Sequence, residues 1–211
     1  MVGAKQQSGF TLIEIAIVLV IIGLLLGGIL KGQELITQAK IRNVVNDFNG
    51  TSAAYYAYQD RYRAVPGDDI NAAGRWTGTK SGNGDGVVGG NYNDVNGASE
   101  AAYFWQHLRL SGLIAGATTD NSPPQNAAAG VTGVQGAGAL GFAGLVVCSS
   151  NLPAKIAQAV DSQFDDGNAS TGQVKGVISA GQGNAPAVTA VTPTVNYVDD
   201  GTNVYVVCKN I

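Results

Sequence analysis

The sequence predicts an α+β protein. One long N-terminal helix, with its first half embedded in a membrane, packs on a small antiparallel β-sheet head that carries extra short helices. Three observations lead there. From Phe10 to Leu30 the chain is apolar except for Thr11 and Glu14. No proline occurs before Pro66, and beyond Lys31 the apolar residues recur at helical spacing. The remainder is rich in glycine, which clusters between Gly67 and Gly144 among short apolar runs, so loops and short strands are favoured over a second long helix.

In chain order, residues 1–9 form a short polar leader containing Lys5. Residues 10–30, as a helix rising about 1.5 Å per residue, match the roughly 30 Å of a bilayer's hydrocarbon core. Residues 31–62 continue the helix amphipathically. Ile41, Val45, Phe48, Tyr55 and Tyr62 form the stripe, with Ser52 filling one step, and Gln38, Arg42, Asn46 and Asn49 lie away from it. A helix ending near Arg61 or Tyr62 is about 80 Å long. Residues 63–211 form the head. It opens on a loop-rich region, 63–98. A second helix is expected over Ser99–Leu110, with Ser99 as N-cap, Gly112 just past the C-terminus, and Ala101, Phe104, Trp105 and Leu108 on one face. Residues 113–144 show no legible period. A strand precedes Cys148. A third helix follows between Pro153 and Gly167, burying Ile156, Val160 and Phe164. Strands fit Gln173–Ser179, Thr194–Val198 and Asn203–Cys208, the last two joined by the turn Asp199-Asp200-Gly201.

Three readings of the N-terminal segment compete. A secretory signal peptide accounts for Lys5, but Glu14 falls inside its apolar region and no Ala-x-Ala site follows. A plain single-pass anchor accounts for the length but not for Glu14, since an intramembrane carboxylate is costly and marks function. A segment that is both anchor and filament core accounts for both. Gly23-x-x-x-Gly27 and Gly28-x-x-x-Gly32 place small residues where helices can approach closely, although glycine is also simply common in membrane helices.

Gly9-Phe10-Thr11-Leu12-Ile13-Glu14, behind a short leader, resembles the processing site of type IV pilins and type II secretion pseudopilins. The resemblance implies cleavage after Gly9 by a prepilin peptidase that also N-methylates Phe10. It implies that Glu14 neutralises the amine of Phe10 in a neighbouring subunit. It further implies insertion in the inner membrane with the N-terminus cytoplasmic, and assembly on an inner-membrane platform. The partners are copies of the chain and other pilin-like subunits, in a periplasmic or extracellular filament. Many pilins carry a proline at the depth where this chain has Lys31. Pro66-Gly67-Asp68-Asp69, Asn83-Gly84-Asp85-Gly86, Trp105-Gln106-His107-Leu108-Arg109 and Asp165-Asp166-Gly167 resemble, more loosely, a head that recurs behind such leaders.

Charged residues make up 13% of the chain and net charge is −3, so no nucleic-acid partner is expected. The two cysteines, Cys148 and Cys208, each lie at the end of an apolar run. On the outer side of a membrane they are expected to form one disulfide. With the single His107 they cannot supply a usual zinc set.

Two acidic groups are candidates for Ca²⁺. Asn83 and Asp85, near Asn91, Asn93 and Asp94, lack the terminal Glu of an EF-hand loop, so a metal-free Asn/Asp/Gly turn is the favoured reading there. Asp161, Asp165, Asp166 and Asn168 are the better calcium candidate by resemblance to pseudopilin heads; solvation of a helix end is the other reading. His107 is expected to be structural and bonded to backbone. Tyr55, Tyr56, Tyr58 and Tyr62 are expected to pack helix on sheet rather than to form a binding stripe. The resulting expectation is a structural, non-enzymatic filament subunit of a pilus. The runners-up are a subunit of a type II secretion or competence system and, from another class, a membrane-anchored enzyme or calcium-dependent binding ectodomain.

Overall fold

A computed structural model describes residues 11–95, 99–136, 138–179 and 196–211. The chain divides into two compact units, Met1–Ala39 and Lys40–Ile211, and the division falls inside the first helix, α1 (Leu12–Tyr62, 51 residues). In the first unit, every residue from Thr11 to Lys31 is exposed. An 18-residue window of α1 reaches a mean hydropathy of 2.9, long and apolar enough to cross a membrane.

In the second unit, α1 buries Val44, Phe48, Thr51, Ala54 and Tyr58, with Ile41, Val45, Tyr55 and Tyr62 packed at the margin. Residues 41, 44, 48, 51, 55, 58 and 62 alternate steps of three and four, so the buried stripe is two columns wide. The sequence stripe caught one column, 41–48–55–62. It missed the more deeply buried one, because Thr51 is polar and bonds the Asp47 carbonyl at 2.7 Å, out of sight of a hydrophobicity count.

The remaining elements are α2 (Ala72–Arg75), α3 (Glu100–Leu110), β1 (Thr132–Gln135), β2 (Val146–Pro153), α4 (Ala154–Phe164), β3 (Val174–Ser179) and β4 (Val204–Asn210). As expected, Ser99 caps α3, accepting from the Ala102 amide at 3.4 Å. Gly112 (φ +73°) ends it. The Gly112 amide donates to the Arg109 carbonyl at 3.1 Å and the Leu113 amide to the Leu108 carbonyl at 3.0 Å, the paired bonds of a Schellman motif. α3 differs from the expectation in being buried on all sides from Ala101 to Arg109. Loops wrap its polar face: Gln106 Nε2 donates to the carbonyls of Gly78 and Thr118, and Arg109 donates to those of Asp120 (2.7 Å) and Ser122 (2.8 Å).

The sheet order is β1-β2-β4-β3, antiparallel throughout. β2 and β4 continue past their cysteines instead of ending at them. The expected hairpin between Thr194–Val198 and Asn203–Cys208 does not form. Residues 194 and 195 lie outside the described residues, and 196–200 are not strand; β4 pairs with β3 and β2. Local turn chemistry at Asp199-Asp200-Gly201 is real, since Asp200 Oδ1 accepts the amides of Thr202 (3.0 Å) and Asn203 (2.8 Å). The partner strand, however, is chosen by burial on both sides of β4. One sheet face meets α1, α3 and α4 through Val134, Val147, Leu152, Val174, Tyr205 and Val207. The other face, with Val146, Cys148, Val177, Val206 and Cys208, is covered by Tyr92, Ala139, Leu140 and Phe142. Cys148 and Cys208 are cross-strand partners and form the expected disulfide, with Cα atoms 4.0 Å apart. It staples two neighbouring strands of one sheet.

Candidate functional site

The processing residues Gly9 and Phe10 lie outside the described residues. Immediately after them the chain builds a reciprocal cap on α1. The Glu14 carboxylate accepts the Thr11 amide and the Thr11 hydroxyl, both at 2.7 Å, and Thr11 Oγ1 accepts the Glu14 amide at 3.3 Å. This is a capping box: two orphan amides at a helix start are satisfied by side chains three residues apart. Within one chain, then, the carboxylate that sits among apolar residues has donors of its own. Both Thr11 donors lie on Oε2. At Gly23, Gly27, Gly28 and Gly32 nothing lies within 4 Å of where a Cβ would stand.

In the head, three of the quoted motifs meet. The Gly67 amide donates to His107 Nδ1 at 3.0 Å, and His107 Nε2 lies 2.9 Å from the Lys80 carbonyl. This pairing requires the proton on Nε2. The ring is buried near Tyr58, Trp76 and Tyr103, and burial, helped by the Arg75 charge, pushes its pKa down to about 4. That places His107 as a structural residue bonded to backbone. Gly67 has φ +89°, and a Cβ there would overlap the Glu100 carbonyl. Asp69, 1% exposed, accepts from the Tyr58 hydroxyl at 2.7 Å and from the Asn71 amide at 2.9 Å, and pairs with Arg75. Burial raises the Tyr58 pKa to about 12 against the Arg75 charge. Tyr58 and Tyr62 also pack on one another, with ring centres 4.6 Å apart, so these tyrosines serve the core.

Asp68 reaches from the same turn into the glycine loop. Its two oxygens accept the amides of Gly84 (2.6 Å) and Gly86 (2.8 Å), and the Glu100 oxygens accept those of Asn83 (2.9 Å) and Gly89 (2.8 Å). Oxygens of Asp68, Asp85 and Glu100 lie within 4.8 Å of one another. Hard oxygens of this kind suit a cation such as Ca²⁺ in donor type, and each keeps a lone pair after its amide bond. The sequence flagged Asp85 with Asn83. It missed Asp68 and Glu100, which come from distant stretches.

Among the described residues, Asp161, Asp165, Asp166 and Asn168 are used differently. Asp161 is buried, bonded to the Gly167 amide (3.0 Å) and the Tyr197 hydroxyl (2.7 Å), and desolvation raises its pKa. Asp165 accepts the amides of Gln173 and Val174, covering the outer edge of β3. Asp166 takes the Thr171 hydroxyl at 2.7 Å and the Asn168 amide at 2.8 Å, which lower its pKa. All three carboxylates accept from the segment 167–174 that leads from α4 into β3, each from different donors.

Residues 4–30 match the family model described as the prokaryotic N-terminal methylation motif. This is a prepilin-type cleavage and methylation segment. No curated protein matches the chain. The segment and an α+β pilin-like fold therefore stand together in one chain. The prepilin-type segment was legible in sequence; the Thr11 cap within it was not singled out, although Thr-x-x-Glu ahead of an apolar run is a readable signal.

Proposed function

We propose that the chain is a structural subunit of a type IV pilus-like filament. It enters the inner membrane as a prepilin with its N-terminus cytoplasmic. It is cleaved after Gly9 and N-methylated at Phe10, then assembles through α1 with copies of itself and other pilin-like subunits. The observation that carries this reading is the prepilin-type segment at the start of a 51-residue helix whose apolar stretch is exposed from Leu12 to Leu30 among the described residues. Burying that stretch requires lipid before assembly and neighbouring helices after it.

The direct test has two steps. Mass spectrometry of protein from an assembly-competent host should find a mature chain starting at N-methyl-Phe10, and Gly9→Val should leave precursor in the membrane. Glu14→Leu should insert and be processed, yet yield few sheared fibres, because the neighbour's amine then has no counter-charge. Normal fibre yield at equal expression would remove Glu14 from the assembly contact. The Asp68–Asp85–Glu100 group is the cation site to test, because its hard carboxylate oxygens converge to within 4.8 Å of one another.

A further inference from the structure

Two stretches of the chain share one pattern: an acidic residue, then an asparagine two positions on, then a hydroxyl residue two beyond that. They are Asp47-Phe48-Asn49-Gly50-Thr51 and Asp166-Gly167-Asn168-Ala169-Ser170. Asn-x-Ser/Thr without proline is the acceptor pattern for an N-linked glycan, and it is used on surface loops. Prokaryotic oligosaccharyltransferases also favour the acidic residue two positions before the asparagine. The two stretches fold in opposite ways.

The first is helical. Asn49 and Thr51 stand about 200° apart around the axis of α1. Asn49 is therefore exposed, while Thr51 is buried with its hydroxyl on the Asp47 carbonyl at 2.7 Å. A single binding cleft cannot take both side chains while the helix stands. α1 also runs unbroken out of the apolar stretch, so its turns extend an existing helix and need no nucleus of their own.

The second lies in the loop between α4 and β3. Asp166 is exposed and Asn168 half-buried. Asn168 Oδ1 accepts the Ser170 amide at 3.1 Å and the Ser170 hydroxyl at 2.9 Å, an Asx turn that sets asparagine and hydroxyl side by side. The Ser170 amide can only donate, which fixes that atom of Asn168 as the oxygen. Among the described residues Asn168 Nδ2 makes no hydrogen bond, so a sugar on that nitrogen breaks none. The loop is anchored late. Ala169 is buried with its carbonyl on the Gly176 amide at 2.8 Å, and Gly176 belongs to β3, which pairs with β4 near the end of the chain. Until β4 arrives, residues 165–172 are free of that anchor and can be drawn into an enzyme cleft.

We propose that Asn168 is an N-glycosylation site, modified on the outer side of the membrane before β3 and β4 pair, and that Asn49 is not. The inference rests on the outward head of the filament-subunit reading. The donor is a polyprenyl-diphosphate-linked oligosaccharide and the catalyst a membrane oligosaccharyltransferase. Asn168 Nδ2 attacks the anomeric carbon. The new N–C bond forms as the bond from that carbon to the diphosphate oxygen breaks, polyprenyl diphosphate leaves, and one Nδ2 proton passes to a base of the enzyme. The Ser170 hydroxyl and the Asp166 carboxylate are the groups the enzyme recognises on either side.

The test expresses the full chain in a bacterial host that carries such a transferase and its lipid-linked glycan. A second acceptor, Asp-Gln-Asn-Ala-Thr, follows Ile211 behind a short Gly-Ser linker, and an exported control acceptor is made in the same cells. Glycopeptides are mapped by mass spectrometry. Most chains should carry one glycan on Asn168 and one on the tag, with Asn49 bare. Asn168→Gln and Ser170→Ala should each lose the first glycan and keep the second. Asp166→Ala should lower Asn168 occupancy severalfold, and Asn49→Gln should leave it unchanged. The inference is overturned if the tag is modified while Asn168 is bare, if Asn49 is occupied as fully as Asn168, or if Ser170→Ala keeps the Asn168 glycan. A bare tag beside a modified control acceptor overturns the outward head itself, and this inference with it.

Discussion

Acidification should weaken the head through His107 in a way that one variant isolates. In the unfolded chain the imidazole takes a proton near its ordinary value of 6.5, whereas in the folded head its value is about 4. Burial is the main cause. The geometry agrees, because Nδ1 already accepts the Gly67 amide, and a protonated ring would face that amide donor to donor. Between these two values the unfolded state binds the proton and the folded state does not. The stabilisation is therefore complete above about pH 6.5, falls as pH drops toward 4, and is gone below. A gap from 6.5 to about 4, at 1.36 kcal/mol per unit, amounts to about 3 kcal/mol. His107→Gln keeps an acceptor and a donor but does not titrate. Urea unfolding of both proteins in micelles, at pH 7, 5.5 and 4, should show the wild type losing about 3 kcal/mol relative to the variant; titration of the carboxylates cancels in that difference. As His107 is the single histidine, its ring proton resonances give a direct check in the folded protein. A midpoint near 6.5, or a wild-type-to-variant difference constant from pH 7 to 4, would refute the reasoning.

Three further outcomes are expected. Cys148→Ala with Cys208→Ala releases a 60-residue loop in the unfolded state and should cost about 4 kcal/mol in urea unfolding; a loss under about 1 kcal/mol would mean that the staple constrains little. Gly133→Ala places a Cβ on the Tyr92 backbone carbonyl, so β1 must move and stability should fall by about 3 kcal/mol or more; an unchanged thermal midpoint would show that the loop carrying Tyr92 yields freely. Millimolar calcium should raise the thermal midpoint by roughly 5 °C, the effect of about 2 kcal/mol of linkage in a domain this size. Asp85→Asn should remove that rise, while Asp166→Asn should leave it, and the reverse ranking would return the calcium reading to the α4–β3 loop.

Much of this protein was written in local pattern. The prepilin-type segment, the run of α1 to Tyr62, the ends of α3 at Ser99 and Gly112, and the pairing of two cysteines each depend on residues a few positions apart or on simple counting. Such features are legible because helical period, capping and composition act over one or two turns of chain. The candidate cation group shows the limit. Asp85 announces itself beside Asn83 and two glycines, but Asp68 and Glu100 join it only through the folding of separate loops. The acidic run 161–168 reads as a ligand set because its members are close in sequence; its hydrogen bonds to Tyr197 and to the Val174 amide at the start of β3 come only with the fold.

What tertiary structure alone decided is where chain segments from far apart meet. The turn at Asp199-Asp200-Gly201 could close a hairpin, yet β4 took β2 and β3 as neighbours. A run such as Tyr205-Val206-Val207-Cys208 gains most when both its faces are covered, and one face needed α1, α3 and α4 while the other needed Leu140 and Phe142. The proton position on His107 depended likewise on Gly67 and Lys80 arriving from other loops. Local propensity determines which elements form. Burying two faces of one sheet at once, with most buried polar groups paired, determines which of them touch.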